Sequence, residues 1–235
     1  LFVLVSFNIL VFWRPSLKRA AIASIVLLAA LFSKESALPF LVIPLSFFLH
    51  RSWRVRRKSP GFESGLQDLR PIDLSFSTAA VLLYVIVRFF IMKAPGGHEI
   101  IPLGGSRLAA VMHSGFFFKS AWRLFVLPIH LNADYVFRDI SGPWTPRSIG
   151  GLAFLVLYLV LMLWLLRKNH TRTFFSLLWV SVFFLPAMHI IPLTNPFAER
   201  YLYLPLMGFA ALAVCALDSI FDRLGRPADM TVLIV

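Results

Sequence analysis

The sequence predicts an all-α fold, a polytopic transmembrane helical bundle. Of its 235 residues, 59% are hydrophobic and 14% are charged, and the mean hydropathy is +0.80. The apolar share lies far above that of ordinary soluble domains, and long apolar stretches alternate with short basic ones. A lone cysteine, Cys215, excludes a disulfide framework. Together these observations predict helices that cross a bilayer and are joined by polar loops.

The net charge of +12 is explained by the positions of the cations. Fourteen of the 23 Lys and Arg residues fall in four segments, residues 14–19, 51–70, 167–172 and 223–226. Cytoplasmic loops of membrane proteins carry such an excess, which also attracts anionic lipid headgroups. The charge therefore predicts which loops face the cytoplasm, and no nucleic-acid partner is expected.

Residues 20–49 are apolar except for a polar centre that contains Lys34 and Glu35. Cations flank both ends, so both ends are predicted to be cytoplasmic and the segment must enter the membrane and return. Its first half, residues 20–32, spans about 20 Å, against a hydrocarbon core of about 30 Å. The pattern predicts a short re-entrant-like helical hairpin with these two residues at its tip. The alternative is one long tilted helix in which Lys34 pairs with Glu35.

The same charge rule orders the rest of the chain. Residues 51–73 are predicted to form a cytoplasmic loop, and residues 93–147 an external loop region. Within that region, residues 108–131 are long enough to cross but carry Lys119, Arg123 and two histidines. We predict an interfacial or partly re-entrant helix on the outer face, because a crossing would move the basic 167–172 loop outside. The other helices are predicted over residues 1–13, 74–92, 149–166, 174–191 and 202–221.

A small set of polar residues is predicted to lie within the membrane, close to its outer face. Ionisable groups are costly there, so they mark candidate sites. Cations in an apolar site suit a phosphate, because Arg offers a bidentate fork and Lys a compact charge. The two acids could hold these cations in place; the alternative is that the Lys34–Glu35 and Glu199–Arg200 pairs only pin helices. No metal site is predicted, because the histidines lack metal-ligand spacing. The candidate substrate-binding residues are Lys34, Glu35, Arg88, Glu199, Arg200 and Tyr201.

Arg200 receives a more specific prediction. Asn195 precedes Pro196, and a proline biases the residue before it away from helix. We therefore expect a new helix to start close to Ala198, with Arg200 in its first turn. Unpaired backbone N–H groups and the positive end of the helix dipole gather there, so an anion is expected nearby.

Three sequence blocks carry a resemblance to a known family. They are LFSKES at residues 31–36, LPIHLNADY at residues 127–135, and IPLTNPFAERYLYLP at residues 191–205. In their order and spacing the chain resembles the C-type membrane glycosyltransferases. It is most similar to the transmembrane part of the tetratricopeptide-repeat proteins related to protein O-mannosyltransferases. The likeness covers most of the chain.

The resemblance implies a function and its partners. A sugar would pass from a polyprenyl- or dolichyl-phosphate donor to an acceptor hydroxyl, on a protein or a glycan, at the outer face of the membrane. It implies that Lys34 engages the donor phosphate and that no cofactor is needed. The lipid bilayer, the lipid-linked sugar and the acceptor are the expected partners. We expect the bacterial inner membrane rather than the endoplasmic reticulum, with the active side periplasmic or lumenal.

The chain departs from this family in one important respect. The family's catalytic carboxylate lies in the first external loop, which would precede Leu1, and the tetratricopeptide repeats would follow Val235. The chain begins within one apolar run and ends as another starts. We therefore expect one transmembrane domain over residues 1–235, fragmentary at both ends, with its general base upstream.

Two other function classes stay open at the level of sequence. Broken helices with charged tips at membrane depth are also typical of transporters and flippases, here for a lipid-linked or anionic substrate. An inverted repeat would favour that class, and the sequence shows none. A non-catalytic membrane scaffold, whose charges only lock helices together, is the third alternative.

The charge asymmetry gives a topology prediction. Single cysteines replacing Ser64, Ser106 and Asn169, in a Cys215→Ala background, are treated with membrane-impermeant thiol reagents in intact cells. We expect labelling at position 106 alone, because positions 64 and 169 lie in the basic loops. Labelling at position 169 from outside would overturn the predicted topology and the hairpin with it.

Overall fold

The computed structural model describes residues 1–57, 69–91, 103–129, 131–132, 135, 140, 142–188 and 197–224. Within these residues the chain is all-helical, and the one β-type contact is an isolated antiparallel bridge between Tyr135 and Phe197. The chain divides into two compact units, Leu1–Ile100 and Ile101–Val235. Each unit is described by itself.

Four α-helices, separated by turns that the sequence explains, lie in the described part of the first unit. Ser16 caps the second helix by accepting a hydrogen bond from the N–H of Arg19 at 3.1 Å. Pro71 begins the fourth helix, at a position that needs no hydrogen-bond donor. The helices are α1 (Phe2–Phe12), α2 (Leu17–Ser33), α3 (Val42–Arg57) and α4 (Pro71–Ile86), with a 3₁₀ segment at Glu35–Leu41 and a π-helical turn at Val87–Ile91.

Two sets of contacts fix the directions of α1, α2 and α4. The Ser6 hydroxyl donates to the carbonyl of Ala23 at 2.9 Å, and the end of α1 meets the start of α2, so these helices are antiparallel. The rings of Phe32 and Tyr84 lie 5.3 Å apart near the ends of α2 and α4. Because these two helices also meet at their first turns, they run parallel.

A buried ion pair joins three helix ends in this unit. Arg19, in the first turn of α2, is 1% exposed and pairs with the carboxylate of Asp73 in the first turn of α4. Its guanidinium also donates to the carbonyls of Leu10 and Trp13, at 3.3 and 3.1 Å, at the end of α1. Asp73 in turn accepts from the N–H of Arg70 at 2.8 Å and caps α4. The sequence places Arg19 in a basic segment predicted to be cytoplasmic, and the structure adds that its charge is neutralised inside the protein.

The helix breaks at the predicted tip of the hairpin. α2 ends at Ser33, Lys34 has an extended backbone (φ −161°, ψ 128°), and α-helix resumes only at Val42. Phe40, in the 3₁₀ segment, is buried and contacts the ring of Phe7, whose neighbour Ser6 lies beside the first half of α2. The α-helix is therefore interrupted at Lys34. One continuous helix over residues 20–49 is not what the sequence forms.

The second unit contains the longest helices. Ser106 and Thr145 cap two of them, accepting hydrogen bonds from the N–H groups of Ala109 and Ser148, both at 3.1 Å. Asn169 makes the tight turn between two others with a positive φ of 61°, a conformation that Asn adopts more readily than most residues. The helices are α5 (Arg107–Val126), α6 (Pro146–Arg167), α7 (Thr171–Phe184) and α8 (Tyr203–Leu224), with 3₁₀ turns at Leu185–Met188 and Glu199–Tyr201.

Helices α6, α7 and α8 form an antiparallel series. The Tyr158 hydroxyl on α6 donates to the carbonyl of Leu177 on α7 at 2.7 Å. The indole N–H of Trp179 on α7 donates to the carbonyl of Leu204 at the start of α8 at 2.9 Å. The start of α7 lies beside the end of α8, because Arg172 and Asp218 pair there at 3.8 Å.

Helix α5 runs parallel to α6 along a very close crossing. A Cβ atom on Gly151 would lie 2.1 Å from the backbone nitrogen of Phe116, and one on Gly115 would lie 2.5 Å from the carbonyl carbon of Gly151. Only glycine permits this backbone contact. Further along both helices, the rings of Trp122 and Tyr158 lie 5.6 Å apart. Because the contacting residues advance together along both helices, α5 and α6 point in the same direction.

Three helical segments in the described part of the chain are long and apolar enough to cross a membrane. They are Pro146–Arg167, Thr171–Met188 and Tyr203–Phe221, and all belong to the second unit. They agree with three of the predicted spans, and the composition and these helices together fit a membrane protein. Apolar helices shorter than this are present in the first unit at Phe2–Phe12, Ser36–His50 and Pro71–Ile86.

The buried ion pair gives a stability prediction. Arg19→Met leaves the Asp73 carboxylate buried without its partner, which should lower the free energy of unfolding by about 3–5 kcal/mol. Adding Asp73→Asn should recover a large part of that loss, because Asn is neutral and still accepts from the N–H of Arg70. Reversible unfolding in mixed micelles measures both effects.

The matched control is the solvent-exposed pair. Neutralising Arg172 and Asp218 should change the free energy of unfolding by no more than about 1 kcal/mol, because Arg172 is 66% exposed and the pair is screened by water. Equal losses for Arg19→Met and Arg172→Gln would contradict the role given to the buried pair.

Candidate functional site

Two of the predicted site residues lie at the same end of the first unit. Lys34 follows the last turn of α2, and Arg88 lies in the π-helical turn one turn beyond Tyr84. Because the rings of Phe32 and Tyr84 are in contact, the ends of α2 and α4 are level, and both cations are carried there. π-Helical turns are rare in proteins, and those that do occur are often found at functional sites.

Lys34 is exposed, and within the described residues no carboxylate pairs with it. Its extended backbone lifts it out of α2, and the neighbouring Ser33 hydroxyl donates back to the carbonyl of Ala29 at 2.8 Å. The side chain of Glu35 lies outside the described residues, so the predicted pair between Lys34 and Glu35 stays a prediction. The first unit thus presents an ammonium group at a helix break.

In the second unit, Glu199 connects two distant segments of the chain. Its carboxylate accepts hydrogen bonds from the backbone N–H of Asn132 at 2.5 Å and from the hydroxyl of Tyr135 at 2.9 Å. The N–H of Tyr135 donates to the carbonyl of Phe197 at 3.0 Å, and the two rings lie 5.3 Å apart. Phe197 is itself buried against Phe117 of α5. We call Asn132, Tyr135, Phe197 and Glu199 the loop clasp.

The loop clasp joins two of the sequence blocks that carry the resemblance. Residues 127–135 and 191–205 are far apart in sequence, yet the bonds of Glu199 hold them together. The prediction that Glu199 holds the Arg200 guanidinium in place stays a prediction. The hydrogen bonds that the Glu199 carboxylate accepts come from Asn132 and Tyr135, which the sequence analysis does not include among the site residues.

Arg200 and Tyr201 lie beside the loop clasp. Arg200 is exposed, with its guanidinium carbon 5.4 Å from the centre of the Tyr201 ring, a cation–π geometry. A helical segment starts next to Ala198, as predicted, but it is a single 3₁₀ turn over Glu199–Tyr201, and α8 begins at Tyr203. Arg200 therefore lies in the 3₁₀ turn that precedes α8.

The surroundings of Tyr135 favour its neutral form. Burial raises the pKa of Tyr135 above its usual value, and the hydrogen bond to the Glu199 carboxylate raises it further. The hydroxyl therefore stays protonated and keeps donating to Glu199 at neutral pH. Because the folded pKa is raised, this contribution to stability is complete below pH 10 or so and is lost as the pH rises through the raised value.

Three of the six candidate residues lie in the first unit and three in the second. Lys34, Glu35 and Arg88 belong to Leu1–Ile100, and Glu199, Arg200 and Tyr201 to Ile101–Val235. Their convergence on one ligand stays a prediction. No protein-family profile, no curated protein and no solved structure matches this chain.

The loop clasp gives a local prediction. Tyr135→Phe removes the hydroxyl that donates to a charged acceptor but keeps the ring against Phe197. Loss of this bond should lower the local stability by about 1.5–3 kcal/mol. Hydrogen exchange of the amide of residue 135 at neutral pH measures it, and the difference from wild type should vanish as the pH rises through the raised pKa of Tyr135.

Tyr203→Phe is the control, because Tyr203 is 70% exposed at the start of α8. It should leave exchange at residue 135 unchanged. Unaltered protection in Tyr135→Phe would mean that the Glu199 carboxylate does not hold the loop in solution.

Proposed function

We propose that this chain is part of a membrane glycosyltransferase that moves a sugar from a polyprenyl- or dolichyl-phosphate donor to an acceptor hydroxyl, on a protein or a glycan. The single observation that carries the proposal is the loop clasp. Two blocks of the resemblance meet through Glu199, and Arg200 and Tyr201 lie beside that junction. If the chain shares the function of the family it resembles, the blocks that carry the resemblance have to meet in the fold. A chance similarity would not require this.

The proposed membrane placement rests on the helices of the second unit. We propose that α6, α7 and α8 cross the bilayer inward, outward and inward, in agreement with the basic residues at the α6–α7 turn. Since α5 runs parallel to α6, α5 would enter from the outer side and the chain would return through Tyr135 to the start of α6. This supports the re-entrant alternative for α5 over a helix lying flat on the outer surface. The first unit would contribute the hairpin with Lys34 at its tip.

The proposed reaction needs cations for the donor and a base for the acceptor. The base removes the proton of the acceptor hydroxyl, the oxygen bonds to the anomeric carbon, and the bond from that carbon to the phosphate oxygen breaks. Negative charge accumulates on the departing lipid phosphate, and Lys34 and Arg200 are proposed to stabilise it there. Glu35, Arg88 and Tyr201 would support the binding of the donor. The base would come from the segment upstream of Leu1, as in the family that the chain resembles.

The proposed setting is the bacterial inner membrane, with the site on the periplasmic side. A transporter or flippase would also bind a lipid-linked anion, but it would not form a glycosidic bond. Measuring transfer and binding separately therefore distinguishes these function classes.

Arg200 provides the test in the complete protein. Arg200→Lys keeps the charge but loses the bidentate fork, so donor binding should weaken by about ten- to a hundredfold, the equivalent of one charge-assisted hydrogen bond of about 1.5–3 kcal/mol. Arg200→Ala should weaken it at least as much. Binding and transfer of a polyprenyl-phosphate sugar are measured with purified, folded variants.

The exposed cation Lys168, in the α6–α7 turn, serves as the matched control, and Lys168→Gln should leave binding and transfer intact. If Arg200→Ala binds and transfers the donor normally, the residue has no part in the site. If the donor binds but no sugar is transferred by the complete wild-type protein, the transporter alternative gains support.

A further inference from the structure

Two cations on α5 are not used by any contact described so far. Lys119 and Arg123 lie one helical turn apart on the same face of α5, and both are exposed. The same face carries exposed apolar side chains near its two ends, Leu108 (54% exposed) and Val126 (68% exposed), and packs against α6 between them at the buried Gly115. The two charges therefore lie on a face whose other exposed side chains are apolar.

The depth of this pair is set by the packing of α5 against α6. Trp122, the neighbour of Arg123, contacts the ring of Tyr158 at 5.6 Å. Tyr158 lies near the middle of the 22-residue helix α6, which is long and apolar enough to cross a membrane. Lys119 and Arg123 are thus level with the central part of that helix, where exposed charge is most costly.

Within the described residues, no carboxylate lies within ion-pair distance of either cation. Arg123 acts at longer range on the Tyr135 hydroxyl, which donates to the Glu199 carboxylate. Like charges four residues apart on a helix repel each other. The helix dipole favours Arg123, which is in the last turn of α5, but it acts weakly on Lys119, about two turns from the end. Among the described residues the pair thus lacks an acidic partner, and an anion bound there would be stabilised by both charges.

We propose that Lys119 and Arg123 bind the phosphate of a lipid-linked donor and form, with the loop clasp, the wall of the donor site in the second unit. The proposal rests on the proposed function and adds two residues to it. The guanidinium supplies a bidentate fork, and the ammonium one turn earlier adds a second charge to the same phosphate. The exposed Leu108 and Val126 extend an apolar surface for the lipid chain.

The position next to the loop clasp supports this assignment. Burial and Glu199 raise the pKa of Tyr135, while the charge of Arg123 acts in the opposite direction. The Arg123 guanidinium is therefore close enough to act on the Tyr135 hydroxyl, which donates a hydrogen bond to Glu199. Arg200, beside Glu199, would then approach the same phosphate from the other side of the loop clasp.

Two kinds of lipid carry a phosphate, the bulk phospholipids and the lipid-linked donor. The depth of Lys119 and Arg123 in the membrane distinguishes between them. Headgroups of bulk phospholipids lie at the ends of a membrane-crossing helix, about 15 Å from the middle of a hydrocarbon core about 30 Å thick. The cations lie level with the middle of α6. A single lipid drawn into a protein groove can bring its phosphate below the headgroup layer, and a lipid-linked donor is such a lipid.

Binding of a short-chain polyprenyl phosphate to the full chain in phosphatidylcholine nanodiscs tests the proposal. We expect the double variant Lys119→Gln/Arg123→Gln to weaken binding by about ten- to a hundredfold for each charge-assisted bond lost. Arg123→Lys should recover part of the loss. Arg107→Gln, which removes an exposed cation at the start of the same helix, should leave binding unchanged. The uncharged polyprenol should bind wild type and double variant alike, a result that a purely structural role would not produce.

Each other outcome overturns a distinct statement. Equal binding of polyprenyl phosphate to wild type and to the double variant removes Lys119 and Arg123 from the site while leaving the proposed function intact. Displacement by phosphatidylglycerol at equal concentration would identify an ordinary anionic-phospholipid site and overturn the assignment to a lipid-linked donor. Failure of the wild-type chain to bind polyprenyl phosphate would overturn the proposed function, and this inference with it.

Discussion

The first unit depends on one buried ion pair, Arg19 with Asp73. The guanidinium satisfies a carboxylate on α4 and two carbonyls at the end of α1, so one side chain fixes three helix ends. The desolvation of both charges is offset only because nearly every polar atom of the pair has a partner. From this fixed end α2 and α4 run in parallel, which brings Lys34 and Arg88 to the other end. The position of the predicted phosphate-binding cations thus follows from a contact a whole helix length away.

Helix positions could be predicted from the sequence, but not all helix partners. Hydropathy and basic flanks located α6, α7 and α8 to within a few residues, because membrane-crossing helices obey strong constraints on length and composition. The break at Lys34 was also predictable, since a charge cluster interrupts an apolar run. The parallel packing of α5 and α6 was not, because it is encoded by two glycines among the twelve in the chain.

The candidate site was predicted unevenly for a similar reason. Sequence reasoning paired Glu199 with the adjacent Arg200, yet adjacent residues in a helical turn point in different directions. The hydrogen-bond donors to the carboxylate, Asn132 and Tyr135, are more than sixty residues away. The pairing of Arg19 with Asp73 was not predicted, because the positive-inside rule counts charges without knowing which of them are neutralised inside the protein. In both cases an acid and its partner are distant in sequence, which a single chain does not reveal.

The backbone contact between Gly115 and Gly151 makes α5 and α6 a single mechanical element. No side chain lies between the two helices at the crossing, so no rotamer change can absorb a displacement there. A single added methyl at residue 151 would force the backbones apart by roughly an ångström to restore an ordinary contact distance. That shift would be carried one turn along α5 to Lys119, and an error of about 1 Å in a binding group can cost two orders of magnitude in rate. The two glycines at the crossing thus set the accuracy with which Lys119, a proposed phosphate-binding residue, is positioned.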